Sequence, residues 1–151
     1  MLTLSQMLVR FGVALVLGGL VGLEREKVGK DAGARTAMLV SGGACIFSII
    51  AISLPYIVAT APENVPAIIA GNSGFLAIIG NIVVGIGFLG AGIIIKGEER
   101  VHNLTTAAAI WVTAGIGSLS GLGMIEFATA VAIIITTLLY ALRKFSAKAE
   151  P

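Results

Sequence analysis

Charge is scarce in this chain. Asp, Glu, Lys and Arg make up 12% of its 151 residues, about half the share of a soluble domain. With a mean hydropathy of +1.02, that scarcity excludes an ordinary soluble globular protein. One cysteine, Cys45, excludes an internal disulfide and a cysteine-cluster zinc site. One histidine, His102, has no plausible Cys or Ser partner and no H-E-x-x-H spacing, so no catalytic or zinc constellation is present. A net charge of +2 is too small for a nucleic-acid footprint. Four prolines beside twenty glycines exclude a collagen-like chain and suit close helix packing. Neither a direct repeat nor an inverted repeat is evident.

Long apolar runs fill the space between the charges. Five are predicted as membrane spans: Leu4–Leu23, Thr36–Val58, Phe75–Ile95, Thr105–Leu122 and Met124–Leu142. Each has 18 to 23 residues, enough to cross ~30 Å of hydrocarbon at ~1.5 Å per residue. Lipid satisfies no backbone N–H or C=O, so each run must be helical. The first run has no charged leader and is interrupted by Arg10, so it reads as a retained span. The expected fold is an all-α integral membrane protein. About five helices form a single transmembrane domain over residues 1–151, with no soluble domain. Pro62, Glu63, Asn64 and Pro66 mark a turn in the longest outer connection, followed by a short interfacial helix at Val65–Ala70.

Orientation follows from the basic residues. Arg25, Lys27, Lys30 and Arg35 fall in one connection, Lys96 and Arg100 in a second, and Arg143, Lys144 and Lys148 in the tail. The intervening outer segments hold none. Cationic connections stay on the cytoplasmic side, so the N-terminus is expected outside and the C-terminus inside.

Polar residues within the spans are the candidate functional groups. Arg10 and Glu126 lie at comparable depth toward the outer side. They either pair between the first and fifth spans or reach separately for the interface, with an ion or proton relay as a third use. Asn81 is expected to bond a neighbouring helix. Arg10, Ala14, Gly18, Gly22 and Glu26 recur every four residues and share one helix face. Gly18 and Gly22 should therefore pack inward, against another helix of the same chain rather than a second copy. Gly85, Gly87 and Gly90 match G-x-G-x-x-G in letters. They lack the preceding strand and the following acid of a dinucleotide site. With Gly92 they are read as a thin helix for close packing, with a local break lining a cavity as the alternative. Asn103 or Thr105 is the expected N-cap of the fourth span, with Glu98 or Glu99 nearby. His102 reads as a solvated loop residue and Cys45 as inert packing. No cofactor is expected beyond a loose Mg²⁺ contact at Glu24, Glu26 and Asp31.

Several of these stretches together resemble the MgtC/SapB family of bacterial inner-membrane proteins. Gly18 to Glu26 is similar to its glycine-rich signature ending in Glu-Arg-Glu, and Ala32–Thr36 to its Ala-Gly-x-Arg-Thr element. Gly85–Gly92, Val101–Ala108 and Trp111–Ala114 resemble further elements in matching order. The resemblance marks Gly18, Gly22, Glu24, Arg25, Glu26, Gly33, Arg35, Gly85, Gly87, Gly90, Gly92, Thr105 and Thr106 as signature positions. It departs where the family carries His, at Ala37, and where it carries Asp and Arg, at Gly74 and Ala77. The family's Gln becomes Asn81, and its Arg-Gly becomes His102-Asn103. The resemblance implies a non-enzymatic multi-pass protein of the bacterial inner membrane. It also implies a link to low magnesium, virulence and inhibition of the proton-translocating ATP synthase. The expected role is regulation of a membrane complex through helix contacts. The alternative is a small oligomeric cation channel or transporter lined by Arg10, Asn81 and Glu126. Expected partners are the lipid bilayer and either a membrane protein or further copies of the chain, not nucleic acid.

Overall fold

Helix α1 (Leu4–Lys27) starts where the sequence supplies its own cap. The Gln6 amide donates to Thr3 Oγ1 at 3.3 Å, and the Thr3 amide donates back to Gln6 Oε1 at 3.0 Å. This reciprocal pair satisfies two of the first turn's orphan donors. At the other end Gly29 takes a left-handed φ of +66°. The amides of Gly29 and Lys30 then close onto the carbonyls of Glu26 and Arg25, the helix stop that glycine allows without a steric penalty.

The structure is a computed structural model that describes residues 1–71, 74–96 and 101–146. After α1 come α2 (Ala34–Val58), a 3₁₀ turn (Pro62–Asn64) and the short α3 (Val65–Gly71). Then follow α4 (Gly74–Ile93), α5 (Leu104–Leu122) and α6 (Ile125–Ser146). Between α4 and α5 a minimal antiparallel ladder joins β1 (Ile95–Lys96) to β2 (Val101–His102), pairing Ile95 with His102 and Lys96 with Val101. Glu98, Glu99, Arg100 and Lys148 lie outside the described residues.

Among the described residues four helices, α1, α2, α5 and α6, are long and apolar enough to cross a membrane. The expectation was five. The difference lies in the third predicted span, which is α4, a helix of 20 residues over Gly74–Ile93, of which the described apolar stretch Ala77–Ile93 is not counted among the four. Hydropathy carried that span through Ile95, but the chain leaves the helix after Ile93, and Ile95 enters the ladder. The turn at Pro62 and the short helix from Val65 occur where the sequence places them.

Helices α1, α2 and α5 form the centre. Helix α4 lies against α2 and α5, and α6 against α1 and α5. Leu17, Val21 and Ile116 meet Ala128 and Ala132 on the α6 side. Val40, Ala44, Ile110 and Ala114 meet Ile82 and Ile86 on the α4 side. The outer surface is strongly apolar, with Phe88 85% exposed and Leu39 75% exposed. That inversion is expected of rods solvated by lipid rather than water.

Candidate functional site

Two seams of small residues hold α2. On one side, a Cβ at Gly18 would lie 2.6 Å from Ser41 Cβ and 2.7 Å from the Ala37 carbonyl oxygen. A Cβ at Gly22 would lie 2.6 Å from Ala34 Cα. On the other side, one at Gly117 would collide with the Ser41 carbonyl oxygen, and one at Gly121 would lie 2.6 Å from that of Cys45. Both pairs are spaced by four residues, so each presents one bare strip of helix to the same neighbour. Ser41 Oγ adds a buried bond of 2.8 Å to the Ala14 carbonyl. The sequence reading finds the first pair and passes over the second, although Gly117 and Gly121 carry the same spacing signal.

The glycine run in α4 behaves differently. Nothing lies within 4 Å of a Cβ built at Gly85, Gly87 or Gly92, and only an ordinary contact of 3.7 Å, to Ala107, meets one at Gly90. Among the described residues the close packing expected there is not made, because α5 approaches α4 at one glycine only. Gly85 instead lines an open cavity of about 510 Å³ between α2 and α4, together with Leu39, Gly43, Phe47 and Asn81. The Asn81 amide is exposed in this groove rather than bonded to a neighbouring helix among the described residues.

The outer-side pairing of Arg10 and Glu126 is replaced by a different contact. Arg10 Nη1 donates to the Gly121 carbonyl at 2.7 Å. Gly123, with φ +89°, turns the chain there, and a Cβ on it would lie 2.6 Å from Arg10 Nη2. The end of α5 thus gives the guanidinium a backbone acceptor that a count of charges by depth does not reveal. Glu126 is exposed at the start of α6.

At the opposite end of α1 the signature positions gather. Glu24 and Arg25 form a buried ion pair, each side chain only 7% exposed, the one ion pair among the described residues. Glu24 Oε1 is buried without a partner. Glu26 Oε2 accepts the Ala34 amide at 2.9 Å. Gly33 precedes α2 with no side chain to cap it, so a carboxylate from α1 caps α2 instead, at the positive end of its dipole. Gly33 fits under that carboxylate, since a Cβ there would lie 2.9 Å from Glu26 Oε2. Asn103 occupies the cap position of α5 as expected, but in a left-handed conformation and without a side-chain cap bond. Its Nδ2 donates to Asp31 Oδ2 at 2.8 Å and to the Ile93 carbonyl at 3.3 Å. One side chain therefore ties the α1–α2 connection to the end of α4. Thr106 is buried, whereas Thr105 and Arg35 are exposed.

The three carboxylates considered for Mg²⁺ are engaged separately: Glu24 with Arg25, Glu26 with a backbone amide and Asp31 with Asn103. They do not converge as the oxygen ligands of one ion must.

Comparison with known proteins gives a consistent result. The profile of the MgtC family matches residues 11–148. Protein MgtC of Salmonella typhimurium (strain LT2) is 42% identical over 122 residues, covering 81% of this chain and 46% of the relative. Protein MgtC of Brucella abortus (strain 2308) is 38% identical over 122 residues, covering 81% and 45%. An uncharacterised protein of Haemophilus influenzae is 35% identical over 124 residues, covering 82% and 50%. The chain spans about half the length of these curated relatives. No solved structure matches.

Proposed function

The chain belongs to the MgtC family, and from that membership we propose that it regulates a larger membrane complex by receiving one of that complex's transmembrane helices. The groove between α2 and α4 is the docking site. The observation that carries this reading is the open cavity of about 510 Å³ in which Asn81 stands among apolar side chains and bare glycines. An amide facing hydrocarbon is unfavourable, and a partner helix supplies its hydrogen bond while Gly43 and Gly85 admit close approach. The role is non-enzymatic, in adaptation to low magnesium or stress, and the proton-translocating ATP synthase is the complex to test first.

The protein resides in the bacterial inner membrane with its N-terminus outside. Lys27, Lys30, Arg35 and Lys96 support this orientation, since Lys27 ends α1, Lys30 follows it, Arg35 opens α2 and Lys96 follows α4, all at one end of the bundle. A channel lined by Arg10, Asn81 and Glu126 has less support, because Asn81 lines the α2–α4 groove while Arg10 is held at the end of α5.

Asn81→Leu and Gly85→Leu should abolish co-purification of the partner and its regulation while leaving the bundle folded. ATP hydrolysis and synthesis in vesicles with and without the protein test the named complex. Unchanged rates would end the ATP-synthase version, and full regulation by the double variant would end the groove assignment.

A further inference from the structure

A second groove lies between α1 and α6, away from the α2–α4 site. The Arg10 guanidinium sits beside Gly123, just before α6 begins. Lys27 and Arg143 meet in the second groove. The two helices therefore run parallel and finish at the same end of the bundle. The cavity measures about 360 Å³ and is amphiphilic along its length. Leu20 and Leu23 form its apolar part, 38% and 49% exposed. Lys27 on α1 and Arg143 on α6 form its cationic part, and the hydroxyl-bearing Thr137 and Tyr140 line it as well. The Arg143 guanidinium lies 5.1 Å from the Tyr140 ring centre, within cation–π range. Lys27 lies seven positions after Leu20 and four after Leu23, so the apolar and cationic parts are offset by about 6–10 Å along the helix.

Glu24 also lines this cavity, and it decides the sign of the site. Its charge is matched by Arg25 in the buried pair. The groove therefore keeps the two positive charges of Lys27 and Arg143, neither of which has an ion-pair partner among the described residues. Two cations and two hydroxyls above an apolar track fit an amphiphile whose head is an anionic phosphodiester.

We propose that the α1–α6 groove binds one anionic phospholipid from the bilayer. Its phosphodiester lies between Lys27 and Arg143, and an acyl chain runs over Leu20 and Leu23. The test uses the full chain in detergent, incubated with an equimolar mixture of phosphatidylglycerol and phosphatidylcholine and then analysed for retained lipid by native mass spectrometry. Wild type should retain phosphatidylglycerol in preference. Lys27→Gln with Arg143→Gln should reduce that retention about thirtyfold, since each basic residue near an anionic headgroup is worth about fivefold in affinity. Lys30→Gln with Lys96→Gln removes two cations that do not line the groove and should leave retention unchanged. Equal retention of both lipids by wild type, or an equal loss from both double variants, would overturn the site. Glycerophosphoglycerol, which has the head and no acyl chains, should not displace the lipid at equal concentration. If it does, the ligand is a soluble phosphodiester and the lipid assignment fails. Unchanged circular dichroism of each variant confirms that loss of lipid is not loss of fold.

Discussion

Replacing Gly18 with Ala adds one methyl group at the α1–α2 seam. The new Cβ would lie 2.6 Å from Ser41 Cβ and 2.7 Å from the Ala37 carbonyl oxygen, against 3.4 Å or more in ordinary contact. Neither neighbour is the free end of a flexible side chain, so the helices must separate locally by about 0.8 Å. A gap of that size forfeits a quarter to a half of the dispersion energy of the contacts around it. It also stretches the 2.8 Å bond from Ser41 to Ala14. Overpacking of this kind costs about 1–3 kcal/mol, partly offset by the better helix propensity of alanine, about 1 kcal/mol. Gly85→Ala is the matched control. It makes the same chemical change in an apolar helix with nothing within 4 Å of the new atom, so only the propensity gain remains. Thermal unfolding in detergent should show Gly18→Ala lower by several degrees, at about 2–4 °C per kcal/mol for a chain of this size. Gly85→Ala should be unchanged or slightly higher. Equal melting temperatures for the two variants would refute the claim that the seam, and not glycine content as such, sets stability.

Further outcomes follow from single contacts. Gly123→Ala meets both a left-handed backbone and the Arg10 guanidinium, and should lower stability by about 1–3 kcal/mol in a denaturant titration. Arg25→Ala leaves the Glu24 carboxylate buried and unpaired, and should cost about 3–5 kcal/mol. Changing both residues to Met should restore much of that, which the same titration reads. Glu26→Ala removes the cap of α2 and should cost about 1 kcal/mol, with faster hydrogen exchange confined to the first turn of α2. Asn103→Ala cuts the link from Asp31 to Ile93, so exchange should rise at the end of α4 and in residues 28–33 together.

Sequence reading succeeds here where one helix's own periodicity decides the outcome. Gly18 and Gly22 lie four apart on a face bounded by charges, and in the structure that face lies against α2. The run Gly85–Gly92 shows the limit of the same logic. Glycine density says that a close neighbour is possible, but which helix comes near depends on how all the others pack. Arg10 is similar: its depth is legible, but its acceptor is a carbonyl presented by the turn at Gly123. The end of α4 is not legible in composition, because Ile94 and Ile95 continue the apolar run while the backbone turns into a ladder. Asn103 and Thr105 are both legible as caps of α5, and Asn103 holds that position, but its side chain bonds Asp31, 72 positions earlier, a distance no local pattern spans.

The double clasp on α2 also has a consequence for biosynthesis. Ser41 precedes Gly117, whose bare strip covers its backbone, by 76 positions. At about 5–20 residues per second, the ribosome takes several seconds to deliver that strip. Throughout that interval the second helix of the nascent chain has one flank sheltered by the first helix and the other uncovered, with Ser48 still awaiting Gly121. A chaperone or the insertion machinery must shield that flank until the fifth helix emerges, so the newborn protein is most vulnerable to mispairing at that stage.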